Sequence, residues 1–267
     1  MEPAVRVALC WLLFAGTHIG LATRRPRAIL VSVLGIWGFT LLFSIVAGVT
    51  FAFLAHTYAL VHLDGAAGLA LARLAPLRWL AIGAIVTGIA LISVTLWVFP
   101  ATTMALMNNH VADPRGIERI TRHPFFVGVA LLGISHALLA THLVGTVMFG
   151  TLAAFAIAGA LHQDAKLRDH LGEHYRDYVR ETSLVPFAAV LARRQHIVWS
   201  ELPRAPLAVG IVVAFLLRSV HSSILDHDGA WVILGVVGGA FLALIQTWVH
   251  RRASPIAGTP SRSRAAA

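Results

Sequence analysis

The fold is decided by residues 125–161, which read FFVGVALLGISHALLATHLVGTVMFGTLAAFAIAGAL and contain no aspartate, glutamate, lysine or arginine. A helix needs about 20 apolar residues to cross the hydrocarbon layer of a bilayer, which is roughly 30 Å thick. As a single helix this run would be about 55 Å long, which is too long for one crossing. The sequence therefore predicts two membrane-spanning helices joined by a tight turn at Ala140, Thr141 and His142.

The composition of the whole chain also indicates a membrane protein. Of its 267 residues, 58% are hydrophobic and 12% are charged, whereas a soluble globular domain carries about 25% charged residues. This lack of charge excludes a soluble enzyme, and the surplus of apolar residues excludes a disordered chain. We expect an all-α, polytopic membrane helix bundle of about seven transmembrane helices, at residues 5–22, 36–60, 77–99, 124–139, 143–161, 205–225 and 230–249.

The distribution of basic residues predicts how the bundle lies in the membrane. Seventeen of the 21 basic residues fall in the loops and tail on one side of the predicted spans, and four fall on the other side. Because cytoplasmic loops are enriched in basic residues, we expect the N-terminus outside and the C-terminus in the cytoplasm. No basic stretch is long enough to follow a phosphate backbone, so nucleic acid is not an expected partner. The expected partners are membrane lipids and an apolar small molecule.

The polar segment at residues 162–204 separates the fifth predicted span from the sixth. Within it, residues 164–180 carry apolar and basic side chains at helical spacing, which predicts an amphipathic helix on the membrane surface, broken or bent at Gly172. We therefore divide the chain into a membrane domain at 1–195, an additional C-terminal transmembrane hairpin at 196–252 and a disordered tail at 253–267.

Three histidines stand inside predicted spans, where lipid offers no hydrogen-bond partner: His18, His56 and His136. A buried imidazole must satisfy both its N–H and its lone pair. A single such residue is explained by a hydrogen bond to a neighbouring helix, but three in separate spans favour a shared ligand or a proton path. Neutral imidazoles on facing helices are also the groups by which membrane bundles bind haem iron.

Arg122 and His123 stand directly before Pro124, at the start of the fourth predicted span. Proline is common in the first turn of a helix, and the positive end of the helix dipole favours an anionic group at that position. Two interpretations of the pair stand. Either it lines a cytoplasmic mouth that binds an anionic group, or Arg122 extends to lipid phosphates.

The order of these motifs resembles the NnrU family. The resemblance rests on Gly16-Thr17-His18, Ile120-Thr121-Arg122-His123-Pro124, Ser135-His136, and the run from Leu171-Gly172 through Tyr178 to Pro186-Phe187. That family includes bacterial proteins associated with denitrification and nitric-oxide metabolism, and its plant relative is the cis-zeta-carotene isomerase, a membrane haem b protein. The resemblance covers roughly residues 5–191 and leaves the sixth and seventh spans outside.

The resemblance implies a haem b protein in which His18 and His136 are the iron ligands, with Arg122 and His123 in the family's Arg-His-Pro element at the cofactor site. It implies a role in nitric-oxide metabolism or in the cis–trans isomerisation of a polyene. The absence of a plastid-type leader favours a bacterial inner membrane. Counted along their helices, His18 lies about 9 Å and His136 about 20 Å above the inner boundary, so His56 is a rival partner for His136.

A second resemblance gives an alternative function. Arg122-His123-Pro124 followed by Gly128, an acidic residue and Gly172-Glu173-x-Tyr175 also looks like the isoprenylcysteine carboxyl methyltransferase family. In that family the Arg-His-Pro helix and a cytoplasmic loop bind S-adenosylmethionine (SAM). Asp164 occupies the acidic position here, but the arginine expected just before it is missing. A third possibility is a non-catalytic scaffold or transporter whose intramembrane histidines only pair helices.

Overall fold

The computed structural model describes residues 1–98, 100–102 and 110–253, and the regular elements of that part are helices. Four of them are long and apolar enough to cross a membrane: α1 (Pro3–Ala22), α2 (Arg24–Val61), α3 (Ala75–Val98) and α5 (Leu143–Leu171). The others are α4 (Pro124–Leu139), α6 (Glu173–Glu181), α7 (Ala188–Leu191), α8 (Arg204–Ser219) and α9 (Ala230–Ala253). The all-α membrane fold is thus confirmed, whereas the total of seven spans and the orientation of the termini stay predictions.

Two parts of the predicted organisation fall outside the described residues. They are Phe99, with which the third predicted span ends, and the tail after residue 253. The division into a membrane domain, a C-terminal hairpin and a tail likewise stays a prediction.

The predicted hairpin at the end of the fourth span is confirmed. Helix α4 ends at Leu139 and α5 begins at Leu143, so the turn is made by residues 140–142. The loop before α3 fastens this turn, because the N–H of Gly68 donates to the Thr141 carbonyl at 2.9 Å and the N–H of Leu143 donates to the Ala66 carbonyl at 2.7 Å. The long apolar run therefore folds back on itself, and α4 and α5 pack side by side.

Helix α2 is longer than the span predicted at residues 36–60, because it begins at Arg24 and bends at Gly35. At that glycine φ is 69° and ψ is 171°, which is not helical. Glycine tolerates a positive φ because it has no Cβ. The span was predicted to start at residue 36, which is one residue after this bend.

The surface helix predicted at residues 164–180 is correct only in its second half. Helix α5 runs on without a break to Leu171, so residues 164–171 belong to the end of an apolar helix. Gly172, with φ at 59°, then separates α5 from the polar helix α6, as its position predicted. The prediction was wrong at residues 164–171 because the charge of Asp164, which indicated a surface position, is paired inside the bundle.

Glycines let four helices approach closely in one half of the bundle. A Cβ placed on Gly88 of α3 would lie 2.6 Å from the backbone oxygen of Gly128 in α4, and the reverse distance is the same. A Cβ on Gly133 would lie 2.7 Å from the Phe149 carbonyl oxygen of α5, and one on Gly210 of α8 would lie 2.5 Å from a Cα atom of α3. Small residues at helix interfaces are typical of membrane bundles. Helices α3, α4, α5 and α8 therefore form a tightly packed unit.

Candidate functional site

Three side chains make hydrogen bonds to the carboxylate of Asp164, which lies near the end of α5 and is 1% exposed. The half-exposed Arg168 also places its Nη2 3.8 Å from Oδ2. The Arg122 Nε donates to both carboxylate oxygens at 3.2 and 3.1 Å, and its Nη2 donates to Oδ2 at 2.5 Å. His123 Nε2 lies 2.6 Å from Oδ1, and the Tyr175 hydroxyl donates to the same oxygen at 2.6 Å. We call this group, Arg122, His123, Asp164 and Tyr175, the Asp164 network.

The local chain path explains why these groups meet. Arg122 and His123 precede α4, Asp164 is on α5, and Tyr175 is on α6, which turns back after Gly172. The segment before α4 is fixed to the loop after α6 by three hydrogen bonds, one of which runs from the N–H of Phe187 to the Ile120 carbonyl at 3.0 Å. The backbone N–H of Arg122 donates to the Ser183 carbonyl at 2.9 Å, and the Thr121 hydroxyl donates to the Leu184 carbonyl at 2.8 Å.

The Asp164 network is an internal ion pair with its hydrogen bonds satisfied. Arg122 is 7% exposed and His123 is 2% exposed. The guanidinium is therefore directed to Asp164 and not outwards to lipid phosphates. A buried pair of this kind is costly to break, because either partner alone is left as an uncompensated charge. In this arrangement the network fixes α4 against α5 and α6, and binding of a cofactor by Arg122 and His123 stays a prediction.

The phenol and carboxyl groups around the network have shifted pKa values. Burial, and then the hydrogen bond to Asp164, raise the pKa of Tyr175, so its phenol stays protonated and donates. Burial also raises the pKa of Tyr178, whose hydroxyl has no hydrogen-bond partner among the described residues. The pKa of Glu118 is raised by burial, against the opposing effect of the backbone N–H groups of Ala101 and Arg115, which donate to it.

His18, the first predicted iron ligand, lies in a cage of phenylalanine rings. Its imidazole centroid is 5.4 Å from that of Phe14, 4.8 Å from that of Phe43 and 5.5 Å from that of Phe155. Its Nδ1 is buried and has no hydrogen-bond partner in the described part of the chain. A buried ring nitrogen without a hydrogen-bond partner fits a metal ligand, because a bond to an iron atom would satisfy it.

An apolar crevice opens between α1 and α2, near the end of α1. Its volume is 520 Å³, and it is lined by Gly16, Thr17, Gly20, Leu21, Pro26, Leu42 and Val46. Ligand pockets generally have volumes of about 300–1,000 Å³. A Cβ placed on Gly16 or Gly20 would have no atom within 4 Å, so the crevice is open at both glycines.

His136, the second predicted ligand, lies near the end of α4, and one of its ring nitrogens makes a hydrogen bond to the backbone. Its Nδ1 lies 2.8 Å from the Leu132 carbonyl oxygen. A carbonyl can only accept, so this contact needs the proton on Nδ1 and leaves the lone pair of Nε2 available. Hydrogen bonding of the second ring nitrogen to a carbonyl is typical of metal-ligating histidines. His136 therefore also fits a haem iron ligand.

The structure does not place the three predicted histidines together. His136 packs on Phe149 of α5 and His18 on Phe155, and these positions differ by about 9 Å along the helix and about 120° around it. His56, the rival, has its Nδ1 3.3 Å from the backbone oxygen of Asp228, in the loop between α8 and α9. Within the ranges that the structure covers, no group of three or more histidine, cysteine or acidic side chains is arranged to bind a metal ion.

Two residues near these sites, Tyr175 and His221, were not predicted from the sequence to be site residues. Tyr175 was taken only as part of a motif, because eleven residues of continuous helix would place it about 16 Å from Asp164, and only the reversal at Gly172 brings the two together. His221 lies beside His136, with ring centroids 6.2 Å apart and planes 14° from parallel. It stands in the short helical turn His221–Ser223 after α8, where no pattern in the sequence distinguishes it.

The comparisons with known proteins agree with these motifs. Residues 6–253 match the family described as NnrU protein, so the match includes the C-terminal helices that the sequence analysis treats as an addition. The chain is also similar to the 15-cis-zeta-carotene isomerase, chloroplastic, of Arabidopsis thaliana, at 32% identity over 105 residues. The protein of the same name from Zea mays is 31% identical over 105 residues. No solved structure matches.

The two kinds of match differ in what they cover. The similarity to each plant protein spans 37% of this chain and 29% of the plant protein's length. This partial similarity indicates that the chain is related to the plant proteins, but it does not show that the chain has their activity. The family match covers nearly the whole chain. On that basis the chain belongs to the NnrU family.

Proposed function

We propose that this NnrU protein binds haem b within the membrane and catalyses the cis–trans isomerisation of an apolar polyene. The observation that carries the proposal is the hydrogen bond from Nδ1 of His136 to the Leu132 carbonyl. This bond leaves the lone pair of Nε2 free to bind a metal ion. The names of the similar plant proteins give the reaction class, which is 15-cis-zeta-carotene isomerisation. When bound, haem iron supplies a Lewis-acidic centre that polarises a double bond without net oxidation.

The protein's own residues would bind and orient the reactants. His136 would hold the iron in a fixed orientation, because its ring is hydrogen-bonded to Leu132 and packed against Phe149 with centroids 4.7 Å apart. His18, the second ligand that the family resemblance implies, and His56, its rival, are the other residues from the sequence analysis that would hold the group. The crevice between α1 and α2 would admit the substrate from the membrane, because its lining is apolar and it is open at Gly16 and Gly20.

The Asp164 network would position α4, and with it His136. It fixes the first residues before α4, and His136 is on the same helix. Because Arg122 and His123 are both bonded to Asp164, this geometry favours a positioning role over direct contact with an anionic cofactor. The same observation disfavours a SAM-dependent methyltransferase, in which these residues would face the cofactor.

Two further elements of the proposal rest on the family alone. A role in nitric-oxide metabolism or denitrification is the alternative activity that NnrU membership supports. A bacterial inner membrane is the location that we propose, although the similar plant proteins are named as chloroplast proteins. Haem binding is common to both activities, so it is the property to test first.

The test is an absorption spectrum of the full chain, purified in detergent from cells that supply haem. We expect a Soret band, with α and β bands on reduction, and conversion of a 15-cis polyene to its trans isomer. His136→Ala should lose most of its haem, whereas His227→Ala, which changes a loop histidine packed on Trp231, should retain it. A colourless protein that binds SAM would support the methyltransferase, and a colourless protein without a cofactor would support the scaffold or transporter.

A further inference from the structure

We propose that the crevice between α1 and α2 binds one anionic phospholipid, with its phosphate at Arg27 and Lys166 and an acyl chain between the two helices. The lining of the crevice is apolar apart from Thr17, whose hydroxyl donates to the Leu13 carbonyl of its own helix. The lining reaches Pro26, which directly precedes Arg27. An apolar cleft that ends at basic side chains fits an amphiphile with a negative headgroup. A polyene that enters the crevice would displace the acyl chain, but lipid binding needs neither haem nor turnover, so it is tested separately from the proposed function.

The bend at Gly35 brings the basic start of α2 to the crevice. Residues 24–34 precede the bend, and we call them the arm. They begin with three arginines in four positions and continue with mostly apolar residues. In a continuous helix Arg27 and Phe39 would be about 18 Å apart along the axis, but the Arg27 guanidinium lies 5.5 Å from the centre of the Phe39 ring. The arm therefore bends towards the rest of α2, which supplies two of the residues that line the crevice.

Arg27 has hydrogen-bond donors available for a phosphate. Its guanidinium lies over the Phe39 ring, and among the residues that the structure describes it has no hydrogen-bond acceptor and no acidic partner. An arginine that stacks on an aromatic ring still presents the edge of its guanidinium. The N–H groups on that edge match two oxygens of a phosphate.

Lys166 of α5 supplies a second cation at the same place. The start of the arm is joined to the end of α5, because Arg24 forms an ion pair with Asp169. Lys166 precedes Asp169 by three residues and therefore lies on the same face of α5. It is near enough to Arg27 for the two positive charges to repel each other. A phosphate bound between them would turn this repulsion into two attractions. In the predicted orientation this end of the crevice lies at the cytoplasmic surface, where anionic lipids are found.

The test measures binding of phosphatidylglycerol to the full chain in detergent, by native mass spectrometry and by titration. Phosphatidylcholine, whose headgroup has no net charge, is the comparison lipid. Wild type should retain one phosphatidylglycerol per chain and bind it more tightly than phosphatidylcholine. Arg27→Gln and Lys166→Gln should each weaken its binding about fivefold, the usual contribution of one basic side chain near an anionic lipid surface. Arg27→Lys keeps the charge and should lose less.

Arg78→Gln is the matched control for the charge. Arg27 and Arg78 are each the fourth residue of their helices, α2 and α3. Arg78 also lies over an aromatic ring, that of Trp79, at 5.6 Å, but its neighbours do not line the crevice. Its substitution should leave phosphatidylglycerol binding unchanged.

A pair of glycine variants tests the acyl chain. Gly16 lines the crevice and has open space at its Cβ position, so Gly16→Leu should weaken phosphatidylglycerol binding several-fold while both cations stay in place. Gly83 on α3 is equally open but lies outside the crevice lining. Gly83→Leu should therefore bind the lipid as wild type does.

Three results would overturn the lipid site. Equal binding of phosphatidylcholine would show that charge does not select the lipid. Equal losses in Arg27→Gln and Arg78→Gln would mean diffuse surface attraction. Displacement by glycerol phosphate as effective as by phosphatidylglycerol would mean a site for a free anion. If Arg27→Gln lowers the thermal midpoint in detergent alone, the comparison with Arg78→Gln is made with Lys166→Gln, since the Lys166 side chain is exposed.

Discussion

The tightly packed unit of α3, α4, α5 and α8 and the crevice between α1 and α2 use glycine in opposite ways. In the packed unit the glycines bring backbones together, since a Cβ on Gly88 or Gly128 would lie 2.6 Å from a backbone oxygen. At the crevice, Gly16 and Gly20 face open space. Glycine therefore allows close helix packing in one region and leaves an open crevice in the other. We infer that the packed unit orients the ligands while the crevice admits the substrate.

The largest effect should follow from removing the charge that fixes the packed unit. Asp164→Asn leaves Arg122 as a buried charge without its counter-ion, which typically costs about 3–5 kcal/mol. We expect a large fall in the thermal midpoint of the detergent-purified protein, or failure to accumulate. The control is Asp169→Asn on the same helix. Its side chain is 54% exposed and pairs with Arg24 at the surface, and an exposed pair contributes about 0–1 kcal/mol. Equal losses in the two variants would contradict the assignment of a buried network.

A matched pair of glycine substitutions tests the comparison directly. Gly128→Ala forces a methyl group against the Gly88 carbonyl, and overpacking of this kind costs about 1–3 kcal/mol. Gly16→Ala places the methyl group in open space and gains about 0.5–1 kcal/mol of helix propensity. The thermal midpoint should therefore fall for Gly128→Ala and stay the same or rise for Gly16→Ala. A fall of similar size in both would mean that the crevice is closed in the folded protein.

The membrane class and the α4–α5 hairpin were predictable because both depend on local composition. Residues 125–161 specify two apolar helices whatever the rest of the chain does. The Asp164 network was not predictable in the same way, because Arg122 is 42 positions from Asp164 and only the packing of three helices joins them. His221 is further still from His136, and it lies in a turn without a recognisable pattern. Long-range contacts between isolated polar residues produce no periodic pattern of residue types in a sequence, so they cannot be predicted from such a pattern.

The role of the crevice can be tested without disturbing the packed unit. Gly20→Leu should fill part of the crevice and lower the rate of polyene isomerisation several-fold, because a branched side chain would block the apolar opening between α1 and α2. Gly83→Leu is the matched control, since Gly83 on α3 also has no atom within 4 Å of a Cβ but is not part of the crevice lining. Both variants should keep the wild-type thermal midpoint. If the isomerisation rate falls equally in both, the substrate does not enter between α1 and α2.

The smallest effect concerns the surface contact that ties the turn before α4 to the segment before α8. Arg119 Nε donates to Glu201 Oε2 at 2.9 Å, as does the backbone N–H of Gly116 at the same distance. The bond from Arg119 first, and then the one from Gly116, lower the pKa of Glu201 from 4.5 to about 2. A carboxyl whose pKa is lowered by folding stabilises the folded state above its unfolded pKa, and this contribution is lost as the pH falls towards the folded value. The thermal midpoint of wild type should therefore slightly exceed that of Glu201→Gln at pH 6–7, and the difference should disappear between pH 4.5 and pH 2. A difference that persists at pH 2 would show that the carboxylate charge is not its cause.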